Sequence, residues 1–416
     1  MSKVVVVGGG QAGLAVSHEL TRAGVEHVVL ERGRVAQTWR GRWDSFCLVT
    51  PNWSLQLPDH AYAGADPDGF LARDKIVDYL EGYASSFQAP VNEGVEVTAL
   101  EPGTGSRFRL STNAGEIEAD TVVLASGAYQ RAHRPAGAEA LPSRVYSIDA
   151  ERYGRPASLP PGGVLIVGSG QTGCQLAEEL HESGREVFLA CGRAPWVPRR
   201  IGDRDVFWWM VETGFADAPL SSLQSPAARL IANPQASGHR RGHDLHFRSL
   251  QQLGVRLLGH YTGVESGHAR FASDLADSVV FGDARCLDFM NLVRKTCESR
   301  AIPVPDLPLP EPFQADAPNS IPLARVGTVI FTSGFRPDYQ RWVDFPAFDE
   351  MGFPLQEEGA STVVPGLYFV GVHFLRKRKS SLLLGVGEDA RRVAEKLAGL
   401  SHSGRGAGAV STSPSA

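Results

Sequence analysis

Val4-Val5-Val6-Val7-Gly8-Gly9-Gly10-Gln11-Ala12-Gly13 stands near the start of the chain, and Val164-Leu165-Ile166-Val167-Gly168-Ser169-Gly170-Gln171-Thr172-Gly173 repeats its design 160 positions later. In each, a run of branched apolar residues predicts a buried strand that leads through a GxGxxG turn into a helix. The first glycine permits the sharp turn, the second lets a pyrophosphate approach the backbone, and the third lets helix and strand pack closely. Unpaired amides at the helix start then face the phosphates. A single such turn is weak in a chain with 45 glycines, because an ordinary tight strand-to-helix connection reads the same way. Two of them, each with its strand, predict two dinucleotide sites.

The residues behind the turns separate the two sites. After Gly13 an amphipathic stretch, Leu14 to Ala23, stops at Gly24, and a second predicted strand, His27-Val28-Val29-Leu30-Glu31, ends in an acid. Glu31 lies eighteen residues beyond Gly13, where a carboxylate accepts hydrogen bonds from both ribose hydroxyls and repels a 2′-phosphate. The first site therefore suits FAD or NAD. In the second unit the helix Cys174 to Glu182 and the strand Glu186 to Ala190 lead into Cys191-Gly192-Arg193, with Arg199 and Arg200 following and no acid at the ribose position. Guanidinium groups match phosphate oxygens in charge and geometry, which points to NADPH; surface arginines with no specific task are the competing explanation.

With 416 residues, 43% hydrophobic and 21% charged, the chain is long enough for two or three ordinary globular domains. A net charge of -5 leaves no electrostatic footprint for nucleic acid. The one dense basic run, Arg376-Lys377-Arg378-Lys379, reads as a solvated loop, with a cofactor phosphate as its alternative partner. No apolar stretch reaches the roughly 18 residues of a membrane span. A core strand beginning at residue 4 leaves no room for a removable leader, so a cytoplasmic location is expected. Five scattered cysteines, Cys47, Cys174, Cys191, Cys286 and Cys297, fit a reducing compartment.

The order of elements predicts an α/β protein with two Rossmann-like dinucleotide-binding domains, the second inserted into the first. The expected parts are residues 1–155 as the first part of the outer domain, 156–325 as the inserted domain with a less regular stretch at 201–320, 326–400 as the return to the outer domain, and 401–416 as a disordered tail rich in Ser, Gly and Ala. The Pro-rich segment Pro156 to Pro161 is the expected linker. Thr121 to Gly127 and Thr328 to Gly334 each read as a strand ending in Ser-Gly, one closing each sheet.

Five segments carry a family resemblance: Gly8 to Gly13; Trp39-Arg40-Gly41-Arg42-Trp43-Asp44-Ser45; Gly168 to Gly173; Phe331-Thr332-Ser333-Gly334-Phe335-Arg336-Pro337-Asp338; and Gly366 to Gly371 with Leu384 to Glu388. Together they resemble the FAD- and NADPH-dependent flavoprotein monooxygenases of the two-dinucleotide type, relatives of flavin-containing and Baeyer-Villiger monooxygenases. The resemblance implies that NADPH reduces FAD, that oxygen forms a flavin hydroperoxide, and that one oxygen atom passes to a small amine or sulfide. It implies that Gly8, Gly10, Gly13, Glu31 and Arg32 hold the adenosine end of FAD, and that Trp39, Arg42 and Trp43 lie along the flavin. The amides of Leu384, Gly385 and Val386 would stand at its pyrimidine edge. Gln11, Ala12, Gly127, Ser333, Gly334 and Gly371 complete the cofactor contacts. Gly168, Ser169, Gly170, Gln171, Thr172 and Gly173 form the NADPH turn, with Arg193, Arg199 and Arg200 near its phosphate. Thr50 and Asn52 occupy the place where relatives bring catalytic polar groups to the flavin and nicotinamide; a turn at Pro51-Asn52 is the plainer explanation. Read without the family, Trp39 and Trp43 are four apart and would share a helical face, as core residues do.

The sequence departs from the family at the FxGxxxHxxx fingerprint, whose neighbourhood holds Ala128 to Pro135, so ketone oxygenation is doubtful. An NADPH-dependent reductase or oxidase without oxygen transfer, and a flavoprotein without turnover, are the alternatives. A disulfide reductase needs a closely spaced cysteine pair, and the nearest pair is Cys286 and Cys297. His239, His243 and His246 have the spacing of metal ligands, but Gly238 and Gly242 interrupt the helix and Arg240 and Arg241 repel a cation; no metal is expected. Trp208, Trp209 and Phe215 read as core. Substrate and oligomeric state are not legible.

Overall fold

The computed structural model describes residues 3–105, 107–231 and 233–406. Both apolar runs form strands, Val4–Val7 and Gly163–Val167, with every residue buried. Unbroken burial follows from position, since each strand lies inside a parallel sheet covered on both faces. Side chains alternate between those faces. Val4 and Val6 pack with the helices Gln11–Arg22 and Val386–Gly406, whereas Val5 and Val7 pack with Phe108, Leu110 and Phe369.

The first sheet has seven strands in the order Gln356–Glu357, Ala360–Ser361, Leu367–Phe369, Thr121–Leu124, Val4–Val7, His27–Glu31 and Val91–Glu93. The second has five, in the order Tyr146–Asp149, Val326–Phe331, Gly163–Val167, Val187–Ala190 and Arg256–Leu258, all parallel. In both, the strand before the glycine turn has its successor on one side and a strand from much later in the chain on the other. The strand order reverses there, so a crevice opens at the carboxyl ends of the strands. The strands of the second sheet fall in the chain between Thr121–Leu124 and Leu367–Phe369, so the second unit is inserted into the first as expected.

The limits of that insertion move. Tyr146–Asp149 pairs with Val326–Phe331 in the second sheet, so the second unit starts before residue 156 and includes the strand assigned to the return segment. Pro156–Ser158 is a 3-10 turn within the unit rather than a linker between units. The irregular stretch 201–320 also gives the second sheet its edge strand, Arg256–Leu258. The final helix, Val386–Gly406, runs past Ser401, where the tail was expected; the rest of that tail, 407–416, lies outside the described residues. Among the described residues no helix is long and apolar enough to cross a membrane.

The third glycine of each turn is fixed by a close crossing of backbone. A Cβ on Gly13 would stand 1.8 Å from the Gly8 carbonyl oxygen, and one on Gly173 would stand 2.0 Å from the Gly168 carbonyl oxygen. Neither obstacle is a movable side chain, so a larger residue must push the helix off its strand. Gly13→Ala is expected to cost about 2 kcal/mol or more and to lower the melting temperature by several degrees, measured by thermal unfolding beside Gly24→Ala. Gly24 meets no atom within 4 Å, but its φ of +67° makes alanine mildly strained there, so equal losses for the two variants would refute the close-crossing argument.

Candidate active site

Both glycine turns open onto one cavity of about 1530 Å³, larger than the roughly 300–1,000 Å³ of a typical small-molecule site. Its walls include Gly8, Gly10, Gln11 and Ala12 from the first turn and Gly168, Ser169, Gly170, Gln171 and Thr172 from the second. A Cβ on Gly10 would meet nothing within 4 Å, so the backbone here faces open space, as a pyrophosphate cradle requires. Gly13 and Gly173 lie outside the wall, in the helix–strand contact described above.

Glu31 is buried at the end of its strand and lines the cavity. Its Oε2 accepts from the Gly9 amide at 2.7 Å and its Oε1 from the Gly33 amide at 2.8 Å. A carboxylate has about four acceptor positions, so these bonds orient it and leave capacity for hydroxyl donors. Arg32 is exposed at the cavity edge. Arg42 reaches the wall beside Phe46 and Tyr129, its guanidinium carbon 5.7 and 5.8 Å from the two ring centres. Its Nε is buried without an acceptor. Burial pushes its pKa down, opposed by Tyr129 and Glu151. An orphaned donor in a cavity wall is a feature that a bound anion or carbonyl would satisfy.

Trp39 donates from Nε1 to Gln11 Oε1 at 3.0 Å, and Gln11 Nε2 donates to the Ser381 carbonyl at 3.3 Å. That chain of bonds ties the first turn to the return segment. Trp39 and Trp43 do not share a helical face, because the helix is only Gln37–Arg40. Trp43 instead lies among the core residues of the second unit, with Ile148, Tyr153 and Leu245, while still touching the cavity. Gly127, Ser333, Gly334, Gly371 and Leu384 also line the wall. Ser333 Oγ donates to the Val167 carbonyl at 3.0 Å. Gly385 and Val386 do not line it: both amides donate to the Leu382 carbonyl, and the Val386 side chain is fully buried in the first core. The expected row of free amides is closed there by the turn into the helix.

Of the expected catalytic pair, Thr50 lines the cavity and accepts from Ser54 Oγ at 2.9 Å. Asn52 does not: it is buried, donates from Nδ2 to the Asp66 carbonyl and accepts the Leu71 amide. Its amide holds a loop together, in line with the plainer turn explanation. The three arginines expected near the NADPH phosphate also part company. Arg193 is exposed on the wall at the end of its strand. Arg199 is buried and pairs with both oxygens of Asp205, donates to the Val49 carbonyl at 2.9 Å, and lies 4.8 Å from the Phe70 ring centre. It joins the two units, and its donors are spent on protein acceptors. Arg200 is exposed on a hairpin away from the cavity.

The basic run is not a solvated loop. Its backbone pairs with the second unit: Leu220 donates to the Arg376 carbonyl, Arg378 to the Ala218 carbonyl and Lys379 to the Ala216 carbonyl, at 2.8 to 3.0 Å. Lys377 and Lys379 both bridge to Asp217 and Glu388, and Arg376 bridges to Asp389 and Glu358. Arg378 lines the cavity instead, as do His373 and Phe215. The charges are plain in the sequence and their partners are not: Asp217 lies 160 residues before Lys377, while Glu388, Asp389 and Glu358 come from nearer segments of the return to the first unit. The histidines at 239, 243 and 246 diverge as well. His243 pairs with Glu178 at 2.5 Å, and His246 caps the helix Phe247–Leu253.

A parallel-sheet fold with two glycine turns facing one cavity defines the class of two-dinucleotide oxidoreductases. Residues 5–205 match the family model of pyridine nucleotide-disulphide oxidoreductases. Over 390 residues, 93% of this chain and 95% of the relative, the sequence is 31% identical to an uncharacterized CzcO-like oxidoreductase of Geobacillus kaustophilus (strain HTA426). The chain belongs to this CzcO-like oxidoreductase family. A flavin-containing monooxygenase from Stenotrophomonas maltophilia shares the fold with a TM-score of 0.66 at 19% identity, covering 96% of this chain and 100% of that one. So does a bacillithiol disulfide reductase from Staphylococcus aureus, with a TM-score of 0.62 at 14% identity, covering 96% and 99%.

His373 gives the site a pH signature. Burial first, then the charges of Arg378 and Arg229, push its pKa from 6.5 down to about 4. Between those values the unfolded chain binds a proton that the folded chain refuses. The contribution of this group to stability is whole above pH 6.5 and is lost as pH falls toward 4, by up to about 3 kcal/mol. In urea unfolding at pH 7 and pH 4.5, His373→Gln is expected to lose less stability on acidification than the unaltered protein. An identical acid loss in both would remove His373 from the account.

Proposed function

We propose that this protein is a FAD-dependent, NADPH-using monooxygenase that oxygenates a small-molecule nucleophile of the amine or sulfide kind. The observation that carries the reading is the single cavity onto which both glycine turns open, because hydride transfer requires two dinucleotides to meet. FAD and NADPH are the cofactors that the family and the fold support, and when bound they supply hydride transfer and oxygen activation. The first turn and the start of the helix Gln11–Arg22 hold one pyrophosphate, and Glu31 takes the ribose hydroxyls. Arg42 and Trp39, both in the cavity wall, would hold the flavin. The second turn holds the other pyrophosphate, with Arg193 at the 2′-phosphate. Phe207, Met210 and Phe215 add apolar surface to the wall, which would help to keep water from the reacting centre.

The disulfide reductase reading finds no chemistry here. All five cysteines are free thiols, and none of them lines the cavity. Cys174, Cys191, Cys286 and Cys297 are buried. Burial pushes the Cys286 thiol up to about 12, away from the thiolate that exchange needs. Free thiols also accord with a reducing, cytoplasmic setting.

The test is a mass balance. Purified protein should be yellow with one FAD per chain, NADPH should bleach it without oxygen, and in air with methyl phenyl sulfide or benzyldimethylamine the oxygenated product should account for most of the NADPH consumed. Peroxide as the sole product selects the oxidase alternative; bound FAD that NADPH does not reduce selects the flavoprotein without turnover. Within this reading, Arg193→Ala should raise the KM for NADPH about tenfold, the loss of one charged hydrogen bond, and leave NADH turnover unchanged. An equal effect on both cofactors would take Arg193 away from the phosphate.

A further inference from the structure

Arg378 is the one member of its basic run without a carboxylate. Lys377, at the cap of the 3-10 turn Arg378–Ser381, and Lys379, within it, share Asp217 and Glu388, while Arg378 between them lines the cavity. No carboxylate or carbonyl among the described residues accepts from its guanidinium, and its Nε is buried without a partner. Two aromatic rings hold it in place: its guanidinium carbon lies 4.1 Å from the Phe215 ring centre and 4.8 Å from that of Phe374. Rings attract the cation but do not satisfy the in-plane N–H donors.

The surroundings are built to keep that cation unneutralised. Phe374 has a φ of +52°, a left-handed conformation that an aromatic residue adopts only against strain. The strain is held by Arg229, which donates to the Phe374 carbonyl at 3.1 Å, and it sets the ring beside Arg378. His373, next in the wall, has a buried Nδ1 without a partner. Burial alone lowers the Arg378 pKa, so no acid offsets the cost of taking it from water. The rings against it, Phe215 and Phe374, are apolar, and Phe207 and Met210 line the same cavity, a poor match for a pyrophosphate. The dinucleotides have other cations at their own turns, Arg32, Arg42 and Arg193.

We propose that Arg378 anchors a carboxylate on the substrate, so that the protein acts on small apolar molecules carrying one negative charge. This deepens the monooxygenase reading and rests on it. A guanidinium pairs with a carboxylate through two parallel hydrogen bonds, and the rings on its faces leave its edge for that pairing. The apolar body of the substrate then lies against Phe207 and Met210, with its soft atom toward the flavin.

The experiment uses the FAD-bound protein and a matched pair of probes, (phenylthio)acetate and (phenylthio)acetamide, titrated against the flavin absorbance spectrum. The acid should bind at least tenfold more tightly than the amide. Arg378→Met should abolish that preference by weakening the acid at least tenfold with the amide within twofold, and Arg378→Lys should retain a part of it. Equal binding of the two probes to the unaltered protein overturns the proposal whether or not either variant folds. So does an equal loss for both probes in Arg378→Met, or an intact preference accompanied by weakened NADPH binding, which would give the guanidinium to the cofactor. A preference for the acid with peroxide as the only product would leave the anchor standing and overturn the monooxygenase reading instead.

Discussion

Two backbone crossings set the geometry of everything else: Gly13 over Gly8 and Gly173 over Gly168, where a single added carbon would sit 1.8 and 2.0 Å from a carbonyl oxygen. Because the helix rides this close to its strand, its amino end sits at the mouth of the sheet and its free amides face the crevice. The same contact buries the strand completely, so a parallel neighbour must cover each edge. One neighbour is the next strand in the chain, and the other arrives more than a hundred residues later. Long-range topology thus follows from a local steric demand made twice.

Charged groups fasten the two units beside the apolar contact that Trp43 and Phe46 make with the core of the second. Arg199 spans from Asp205 to the Val49 carbonyl, and the segment Arg376 to Lys379 pairs its backbone with Ala216 to Leu220 while its lysines hold Asp217 and Glu388. Each contact crosses from one dinucleotide unit to the other beside the cavity. Hydrogen-bonded ion pairs specify orientation well and add little net stability, which suits a joint that must hold two cofactors in register.

Which features were legible in the sequence follows from how local their cause is. The glycine turns, the strands before them, Glu31 at the end of its strand and the nested order of the units depend on a few adjacent residues, and the fold has them where expected. The extent of the insertion is not legible locally because Tyr146–Asp149 joins the second sheet only through Val326–Phe331, with Tyr146 opposite Thr328, and Val326–Phe331 in turn lies against Gly163–Val167. Trp39 and Trp43 looked like one helical face because spacing does not reveal that the helix stops at Arg40. Asn52 and Arg199 carry side chains suited to a site and Val386 an amide, and each is consumed by a partner that no local pattern announces: a loop carbonyl, an aspartate across a hairpin, the carbonyl of Leu382.

Charge is the sharpest case of this limit. A sequence shows that a residue is cationic, and only the structure shows whether its charge is already answered. Arg199, Arg376, Lys377 and Lys379 are answered by Asp205, Asp389, Glu358, Asp217 and Glu388, and they are architecture. Arg42 and Arg378 keep a buried Nε with no acceptor, and both stand in the wall of the same cavity. A half-buried guanidinium whose Nε finds no protein acceptor carries a desolvation cost without a return inside the protein. The fold nonetheless holds both in place, one beside Tyr129 and Phe46 and the other between Phe215 and Phe374. Arg109, Arg229 and Arg270 also keep a buried Nε without an acceptor, so it is the place of Arg42 and Arg378 in the cavity wall, together with the unmet donor, that points to bound molecules completing the electrostatics.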